Sequence, residues 1–206
     1  MATHSTRAAD VEPRALPDVA SLRDGQRARR QRIIDAAGRL MCTTDYEKIQ
    51  VKDVADEAEV ALGTLYRYFH TKDHLFACAL QSWSQRFGDH GELRPGGTTE
   101  DRVKAIYRRA ARAFERQPRA YNVVMQIQSS TDPHTREVWL EFARHQSSAF
   151  GLALASSRLS ADKKADVTAV MSAVLDENLR SWQLGRQPLD AVYTAIDRAA
   201  ELIFGR

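Results

Sequence analysis

The side chains best suited to contacting a polyanion lie close together, in residues 62–72. Tyr66 and Tyr68 carry hydroxyl groups that can reach phosphates, and Thr64 and Arg67 can bind either phosphates or base edges. Such a mixture on one face of a helix is typical of a surface that contacts nucleic acid. A helix of this kind needs neighbouring elements to hold it in a groove.

A run of arginines precedes this segment. Residues 23–32 contain five arginines and one aspartate, and a basic arm of this kind can neutralise phosphates or enter a minor groove. On its own such a run is more typical of a solvated helix start. It indicates DNA binding only when a groove-reading element follows. Gly63 favours that interpretation, because glycine costs a helix about 1 kcal/mol and suits a close approach of the backbone to another molecule.

Two short helical patterns surround these residues. Apolar positions recur with helical spacing over residues 51–58 and again over 61–69, with a short turn between them. Val60 lies in the turn, where an apolar side chain fills the angle between two steeply crossing helices. Leu65 and Phe69 are expected to anchor the second helix to the core. The pattern predicts a helix-turn-helix, whose second helix can enter the major groove.

Helical periodicity continues through the rest of the chain, and no segment alternates with period two, which predicts an all-α fold. Thr71 marks a helix start as an N-cap, Pro118 stops a helix, and Asp132 followed by Pro133 begins another. We predict a three-helix DNA-binding head joined to a larger α-helical regulatory and dimerisation domain. The predicted helices beyond the head are 71–88, 100–117, 119–129, 133–156, 160–184 and 188–204.

The domain boundaries follow from changes in composition. Residues 1–22 are polar, contain two prolines and show no periodicity, which predicts a disordered tail. The DNA-binding domain is predicted over residues 23–72, and the ligand-binding and dimerisation domain over 73–206. Residues 88–99 contain four glycines and a proline, which predicts a break between helices.

The composition excludes several classes of protein. The chain has 206 residues, a net charge of +3 and 43% hydrophobic residues, so it can bury a core without disulfides. No apolar run approaches the roughly 18 residues that a membrane span needs, and no secretory signal is visible. Cys42 and Cys78 lie in helical patterns rather than in a disulfide framework. We expect a cytoplasmic protein with no cofactor and no membrane partner.

The sequence Gly63-Thr64-Leu65-Tyr66-Arg67-Tyr68-Phe69, followed by Lys72 and Leu75, resembles the N-terminal signature of the TetR family of bacterial transcriptional repressors. The resemblance covers residues 30–75. It implies a repressor that binds double-stranded operator DNA and is released by a small-molecule effector.

Three positions depart from the family pattern. Gln50 stands where a threonine N-cap is usual, Glu59 where the turn often has glycine, and Ala61 where serine is common. Ala61 cannot supply a capping hydroxyl to the second helix. Resemblance and expected exposure together select the DNA-contacting residues: Arg29, Arg30, Gln50, Lys52, Leu62, Gly63, Thr64, Tyr66, Arg67, Tyr68 and Lys72.

A narrower likeness, to the KstR-type regulators of sterol catabolism in actinobacteria, lies in the arginine-rich arm, in residues 60–69 and in the closing residues 202–205. It implies that the effector is a large apolar molecule such as a steroid acid or its coenzyme A thioester. The alternative is a TetR-type repressor of efflux or detoxification genes that senses another hydrophobic compound.

Apolar residues of the larger domain are candidates for an effector cavity, although each is explained more simply as core. The predicted cavity residues are Met125, Trp139, Phe142 and Val174. Arg108, Arg109 and Arg112 could bind the anionic groups of coenzyme A, although an exposed helix face explains them more simply.

A homodimer is predicted, because two-fold pairing doubles the contacts of one helix-turn-helix on a palindromic site. The helices predicted over 160–184 and 188–204 carry long apolar stripes, which form the dimer interface unless they face only their own core. The candidate contacts are Val170, Val174, Trp182, Val192 and Ile196.

Two other classes of protein are alternatives. His70 and His74 have the spacing of a metal-binding pair on a helix, but the cap at Thr71 separates their faces and no third ligand is predicted nearby. No nucleophile elbow or glycine-rich phosphate loop occurs. The sequence therefore predicts no catalytic or metal-binding residue, and an enzyme is not expected. An architectural DNA-binding protein without a ligand is the other alternative, against which the long regulatory segment argues.

Overall fold

The computed structural model describes residues 16–88 and 97–205. Within those ranges the chain forms α-helices and no strand, so the prediction of an all-α fold is confirmed. No helix in the same ranges is both long enough and apolar enough to cross a membrane. The helices are α1 Asp24–Thr43, α2 Val51–Glu57, α3 Leu62–Leu65, α4 Lys72–Gly88, α5 Thr99–Arg116, α6 Pro118–Ser129, α7 Pro133–Gly151, α8 Ala161–Gln183 and α9 Leu189–Phe204.

Helices α1 to α3 form the head around one small core. Ile33, Ala37 and Met41 repeat every four residues on one face of α1 and are completely buried. Helix α1 packs against α2, whose Val54 is buried, and α2 packs in turn against the short α3. The head is therefore a compact unit in which α2 and α3 are fixed against α1.

Helix α4 belongs to both parts of the molecule. Its Leu75, Phe76 and Leu80 are buried, and the helix packs against α1 on the head side and against α6 and α7 on the other. A displacement of α6 or α7 must therefore act on α4 directly.

The regulatory part is built from α5 to α9. Tyr107 of α5 and Tyr121 of α6 are buried, and their hydroxyls donate to backbone carbonyls of α8, at Thr168 (3.1 Å) and Asp176 (2.8 Å). Helix α9 packs between α5 and α8. These two buried phenols tie α5 and α6 to the longest helix of the domain.

Side-chain caps fix the helix boundaries where the sequence predicts them. Thr71 Oγ1 accepts the amide of His74 at 3.0 Å at the start of α4. Asp132 Oδ2 accepts the amide of Thr135 at 2.8 Å at the start of α7, where Pro133 occupies the first helical position. Local polar residues thus set these two starts, as expected for N-caps.

The structure corrects the predicted boundaries in two places. The disordered tail cannot extend to residue 22, because Val19–Ser21 form a 3-10 turn and Leu22 is buried in the head core. The expected disorder of residues 1–15, and most of the predicted break over 88–99, lie outside the described residues. The helix predicted over 133–156 ends at Gly151, followed by a 3-10 turn at Leu152–Leu154.

Candidate DNA interface and effector cavity

The turn between α2 and α3 has an unusual backbone. Glu59 adopts a φ of 53°, in the left-handed region that favours glycine. The next amide, that of Val60, donates to the carbonyl of Ala55 at 3.0 Å, and the Val60 side chain packs against the core. Glu59 therefore adopts the conformation of a turn glycine and carries the strain of a side chain there.

Helix α3 is shorter than the helix predicted over residues 61–69. It follows Ala61, which gives no side-chain cap, and beyond Leu65 the chain continues in tight turns. The amide of Phe69 donates to the carbonyl of Leu65 at 3.1 Å. Both of these residues are completely buried, so two apolar anchors hold the segment in addition to its backbone hydrogen bonds.

The outward side of this segment carries the predicted DNA-contacting groups. Tyr66 is 48% exposed, and Arg67 is exposed beside it. A Cβ added at Gly63 would meet no atom within 4 Å, so nothing in the fold itself requires glycine at this position. The predicted residues that are exposed or half-exposed on the head are Arg29, Gln50, Lys52, Leu62, Gly63, Thr64, Tyr66 and Arg67.

Three other predicted contacts are engaged inside the head, which corrects their expected exposure. Tyr68 is only 8% exposed because its ring packs into the core. Lys72 is half-buried: its ammonium group donates to the carbonyl of Tyr46 and lies 4.0 Å from the centroid of the Tyr46 ring. Burial lowers the pKa of Lys72, against the opposing effect of nearby carboxylates. The guanidinium of Arg30 lies 5.2 Å from the centroid of the Phe69 ring.

Residues 16–22 form an arm beside α3 that the sequence analysis missed. Pro17 and Leu22 of this arm, with Gln26 of α1, line a cleft whose other wall includes Gly63 and Tyr66. The burial of Leu22 fixes the arm there. Leu22 could have indicated this arm, since it is an apolar residue two positions before the start of α1.

One carboxylate joins the starts of two helices at the junction of head and regulatory domain. Asp132, which caps α7, also accepts the hydroxyl of Thr71 at 3.3 Å, and Thr71 caps α4. The buried Thr135 donates both its amide and its hydroxyl to the same carboxylate. Burial works to raise the pKa of Asp132, but these hydrogen bonds outweigh it and the pKa is lowered.

Three histidines stack beside this carboxylate. The ring of His134 lies 4.7 Å from that of His70 and 5.6 Å from that of His74, measured between centroids. Burial, with a smaller effect of His134, lowers the pKa of His74 to about 4, and its Nδ1 has no hydrogen-bond partner. In the part of the chain that the structure describes, no three His, Cys, Asp or Glu side chains are grouped to hold a metal ion.

A cavity of about 260 Å³ lies between α4, α5, α6, α7 and α8. Trp139 and Phe142, both predicted as lining residues, are in its wall, with their rings stacked 5.1 Å apart. Met125 and Val174 are not, contrary to the prediction. Met125 packs against the core, and Val174 lies one turn from the exposed Val170, away from the Leu175 face of α8 that lines the cavity.

The lining of the cavity is mainly apolar and aromatic, and among its polar residues three form a hydrogen-bonded group. These three are Tyr121, Gln128 and Asp176. The single hydroxyl proton of Tyr121 is shared between the backbone carbonyl and Oδ1 of Asp176, both at 2.8 Å. The Gln128 amide donates to the same Oδ1 at 3.3 Å. Behind them, Arg180 donates to Gln128 Oε1 at 2.5 Å and to Asp176 Oδ2 at 3.2 Å. Burial, and then Asp176, raise the pKa of Tyr121. We call these four residues the polar cluster.

The three arginines considered for a coenzyme A group differ in their surroundings. Arg108 donates to Asp197 Oδ2 at 2.7 Å and lies over the Tyr193 ring, so it is engaged within the protein. Arg109 lines the cavity, and Arg112 is exposed on α5. Of these three arginines, only Arg109 lines the cavity.

The predicted dimer contacts divide into two sets. Val170 is 50% exposed, and Val174 and Trp182 are half-buried. Val192 and Ile196 are completely buried in their own chain, which contradicts their assignment to an interface between chains. They lie on the face of α9 that packs against α5 and α8, whereas Leu202 on the same helix is 87% exposed.

Comparison with known proteins agrees with this arrangement. Residues 33–79 match the model of the bacterial regulatory proteins of the tetR family. The HTH-type transcriptional repressor KstR of Rhodococcus jostii is 30% identical over 182 residues, which cover 88% of this chain and 85% of that protein. KstR of Mycobacterium tuberculosis is 30% identical over 98% of this chain and 96% of its own.

The fold has a solved counterpart as well. The crystal structure of a TetR transcriptional regulator from Rhodococcus sp. RHA1 superposes with a TM-score of 0.76 at 25% identity, covering 88% of this chain and 97% of that one. The family model matches the helix-turn-helix, and the KstR relatives extend the likeness through the regulatory helices. The chain therefore belongs to the tetR family of bacterial regulatory proteins, as a KstR-like transcriptional regulator and not an enzyme.

Proposed function

We propose that this regulator represses transcription by binding a palindromic operator as a homodimer, and that an apolar effector in the cavity releases it. The observation that carries the proposal is a head bearing α3 that is joined, by α4 and by contacts of α1 with α6, to a domain with its own apolar cavity. An architectural DNA-binding protein would need no such cavity.

The open space at Gly63 supports the DNA-facing role of α3. Glycine destabilises a helix by about 1 kcal/mol relative to alanine, and no atom of the chain itself would clash with a Cβ there. A close external partner accounts for it. In a groove, Thr64 and Arg67 would face base edges, while Tyr66 and Lys52 would contact phosphates.

Replacing Gly63 with alanine tests this role, because stability and binding should change in opposite directions. We expect Gly63→Ala to stabilise the protein by about 0.5–1 kcal/mol and to weaken operator binding about tenfold or more. Gly38→Ala is the matched control, since Gly38 lies within α1 with the same open space at its Cβ. The control should gain stability with unchanged operator affinity.

The operator for this assay comes from a genomic-fragment binding selection with the wild-type protein, which should return a palindrome. Tyr66→Ala should weaken binding to that fragment while the helical circular dichroism signal is unchanged. Undiminished affinity in both Gly63→Ala and Tyr66→Ala would overturn the proposed interface.

For the homodimer we propose the outward sides of α8 and α9. Val170, Val174 and Trp182 on α8 and the exposed Leu202 on α9 present apolar groups that a second copy could cover. Val192 and Ile196 are not included, because their own chain already buries them. Sedimentation at micromolar concentration should show a dimer for wild type and a monomer for Val170→Asp; a wild-type monomer would overturn the proposal.

Release requires that the effector bind the DNA-incompetent spacing of the two heads better than the competent one. Trp139 and Phe142 place α7 in the cavity wall, and Asp132 at the start of α7 is hydrogen-bonded to Thr71 at the start of α4. A shift of α7 on filling the cavity would therefore pull on α4 and move α3 relative to the operator.

The aromatic walls favour a large apolar effector, and the KstR likeness supports a steroid acid or its coenzyme A thioester. In this chain the acid or thioester group would lie toward Arg109, since Arg109 lines the cavity and Arg108 does not. Steroid acids and their thioesters should dissociate the protein–operator complex in a mobility-shift assay. Release only by small planar cations would overturn the steroid assignment and would favour the efflux or detoxification alternative.

A further inference from the structure

The polar cluster gives the cavity a chemical selectivity of its own. The wall of the cavity extends along α7: Trp139 and Phe150, both in this wall, lie three turns apart, roughly 16 Å at 1.5 Å per residue. The ring of Phe150 lies tilted against that of Tyr107 at a centroid distance of 4.3 Å. Gln128 and Asp176 lie toward the Trp139 end, because α6 leads into the start of α7 a few residues after Gln128.

The hydrogen bonds within the cluster leave a defined set of unused groups. A primary amide has two N–H donors, and Gln128 donates one to Asp176. A carboxylate accepts about four hydrogen bonds, and three side chains donate to that of Asp176: Tyr121, Gln128 and Arg180. The cluster therefore offers a ligand one donor, on the Gln128 amide, and one acceptor, on Asp176 Oδ2, because Oδ1 already accepts from Tyr121 and Gln128.

We infer that the cluster binds an uncharged hydroxyl group of the effector, which accepts from Gln128 and donates to Asp176. This inference rests on the proposed effector site and specifies which end of the effector lies where. A hydroxyl uses both groups, whereas a ketone uses only the amide donor. A carboxylate has no proton to donate and would meet the charge of Asp176, because Arg180, the cation of the cluster, lies behind the residues that line the cavity. An acidic group of the effector must therefore lie toward Arg109.

The test uses four probes with one steroid skeleton that differ only at carbon 3, which bears a hydroxyl, a ketone, no oxygen or a carboxylate. Trp139 and Trp83 line the cavity, so their fluorescence reports binding of each probe without DNA. We expect the hydroxyl probe to bind about tenfold more tightly than the deoxy probe. The ketone should fall between them and the carboxylate should bind most weakly.

Variants test whether the polar cluster is responsible for this selectivity. Gln128→Leu should make the hydroxyl and deoxy probes bind equally, and Asp176→Asn should remove the disadvantage of the carboxylate probe. Gln146→Leu is the matched control, because Gln146 is a polar lining residue on α7 outside the cluster, and it should keep the tenfold preference. Thermal melts of each variant establish that it is folded.

Three results would overturn the inference: equal binding of hydroxyl and deoxy probes to the wild type, an unchanged preference in Gln128→Leu, or no binding of any probe. Operator binding is measured separately in the absence of probes. If the inference is wrong and the proposed function is right, the protein still binds the operator. If the proposed function is wrong, operator binding is absent.

Discussion

Asp132 is the residue at which removal of a single side chain should most weaken the junction between head and regulatory domain. In Asp132→Ala, α7 loses its N-cap, which costs about 1 kcal/mol. The completely buried Thr135 hydroxyl loses its acceptor, which costs about 1–2 kcal/mol. The longer bond from Thr71, at 3.3 Å, contributes about 0.5 kcal/mol. We therefore expect a loss of about 3 kcal/mol in the free energy of unfolding.

Urea denaturation followed by circular dichroism measures this loss. Thr98→Ala is the matched control, because Thr98 caps α5 at an exposed site, where it accepts the amide of Asp101 at 3.1 Å, and should cost only about 1 kcal/mol. A loss in Asp132→Ala no greater than in Thr98→Ala would refute the reasoning. A double-mutant cycle with Thr71→Val should give a coupling energy of about 0.5 kcal/mol across the junction.

The stabilisation that the Asp132 carboxylate contributes should depend on pH. The pKa of Asp132 is lowered in the folded protein, so its stabilisation is fully present above the unfolded value of about 3.9. It is lost as the pH falls through the folded value. The difference in stability between wild type and Asp132→Asn should therefore shrink below about pH 4 and stay constant from pH 6 to 8.

Three further predictions follow from the described geometry. Glu59→Gly should raise the free energy of unfolding by about 0.5 kcal/mol and the melting temperature by about 1–2 °C, because relief of the left-handed strain exceeds the entropy cost of glycine; a destabilised variant would contradict this. The pKa of His74 is about 4 in the folded protein and about 6.5 in the unfolded chain. The free energy of unfolding of wild type should therefore fall by about 2 kcal/mol between pH 7 and 5, and that of His74→Gln should fall correspondingly less in urea titrations. Ile196→Ala should lower the free energy of unfolding by about 3 kcal/mol in the same titrations at any protein concentration. Leu202→Ala should leave the fold intact and weaken the dimer in sedimentation.

The helices could be predicted from the sequence because their signals are local. Thr71 and Asp132 cap the helices that they were expected to cap, and a cap needs only residues three positions away. Leu65 and Phe69 were correctly assigned to the core, since a buried pair four residues apart is sufficient to define a face.

The remaining assignments depended on distant partners, which periodicity does not identify. The stripe of Val192 and Ile196 was recognised, but only the packing of α9 on α5 and α8 shows that its own chain covers it. Arg30 was predicted to contact DNA, because the local sequence does not indicate that Phe69 lies beside its guanidinium. Tyr121 and Asp176 are far apart in the chain, so their hydrogen bond in the cavity had no local signature.

The short α3, held by Leu65 and Phe69, has a consequence for how this regulator can diversify. The two anchors point inward, and the neighbouring Leu62, Thr64 and Arg67 make few demands on the fold. Substitutions at these outward positions can therefore accumulate at little cost in stability. Under the proposed function, a duplicated copy of the gene could acquire a new operator sequence by changing only those side chains, while its cavity is inherited unchanged.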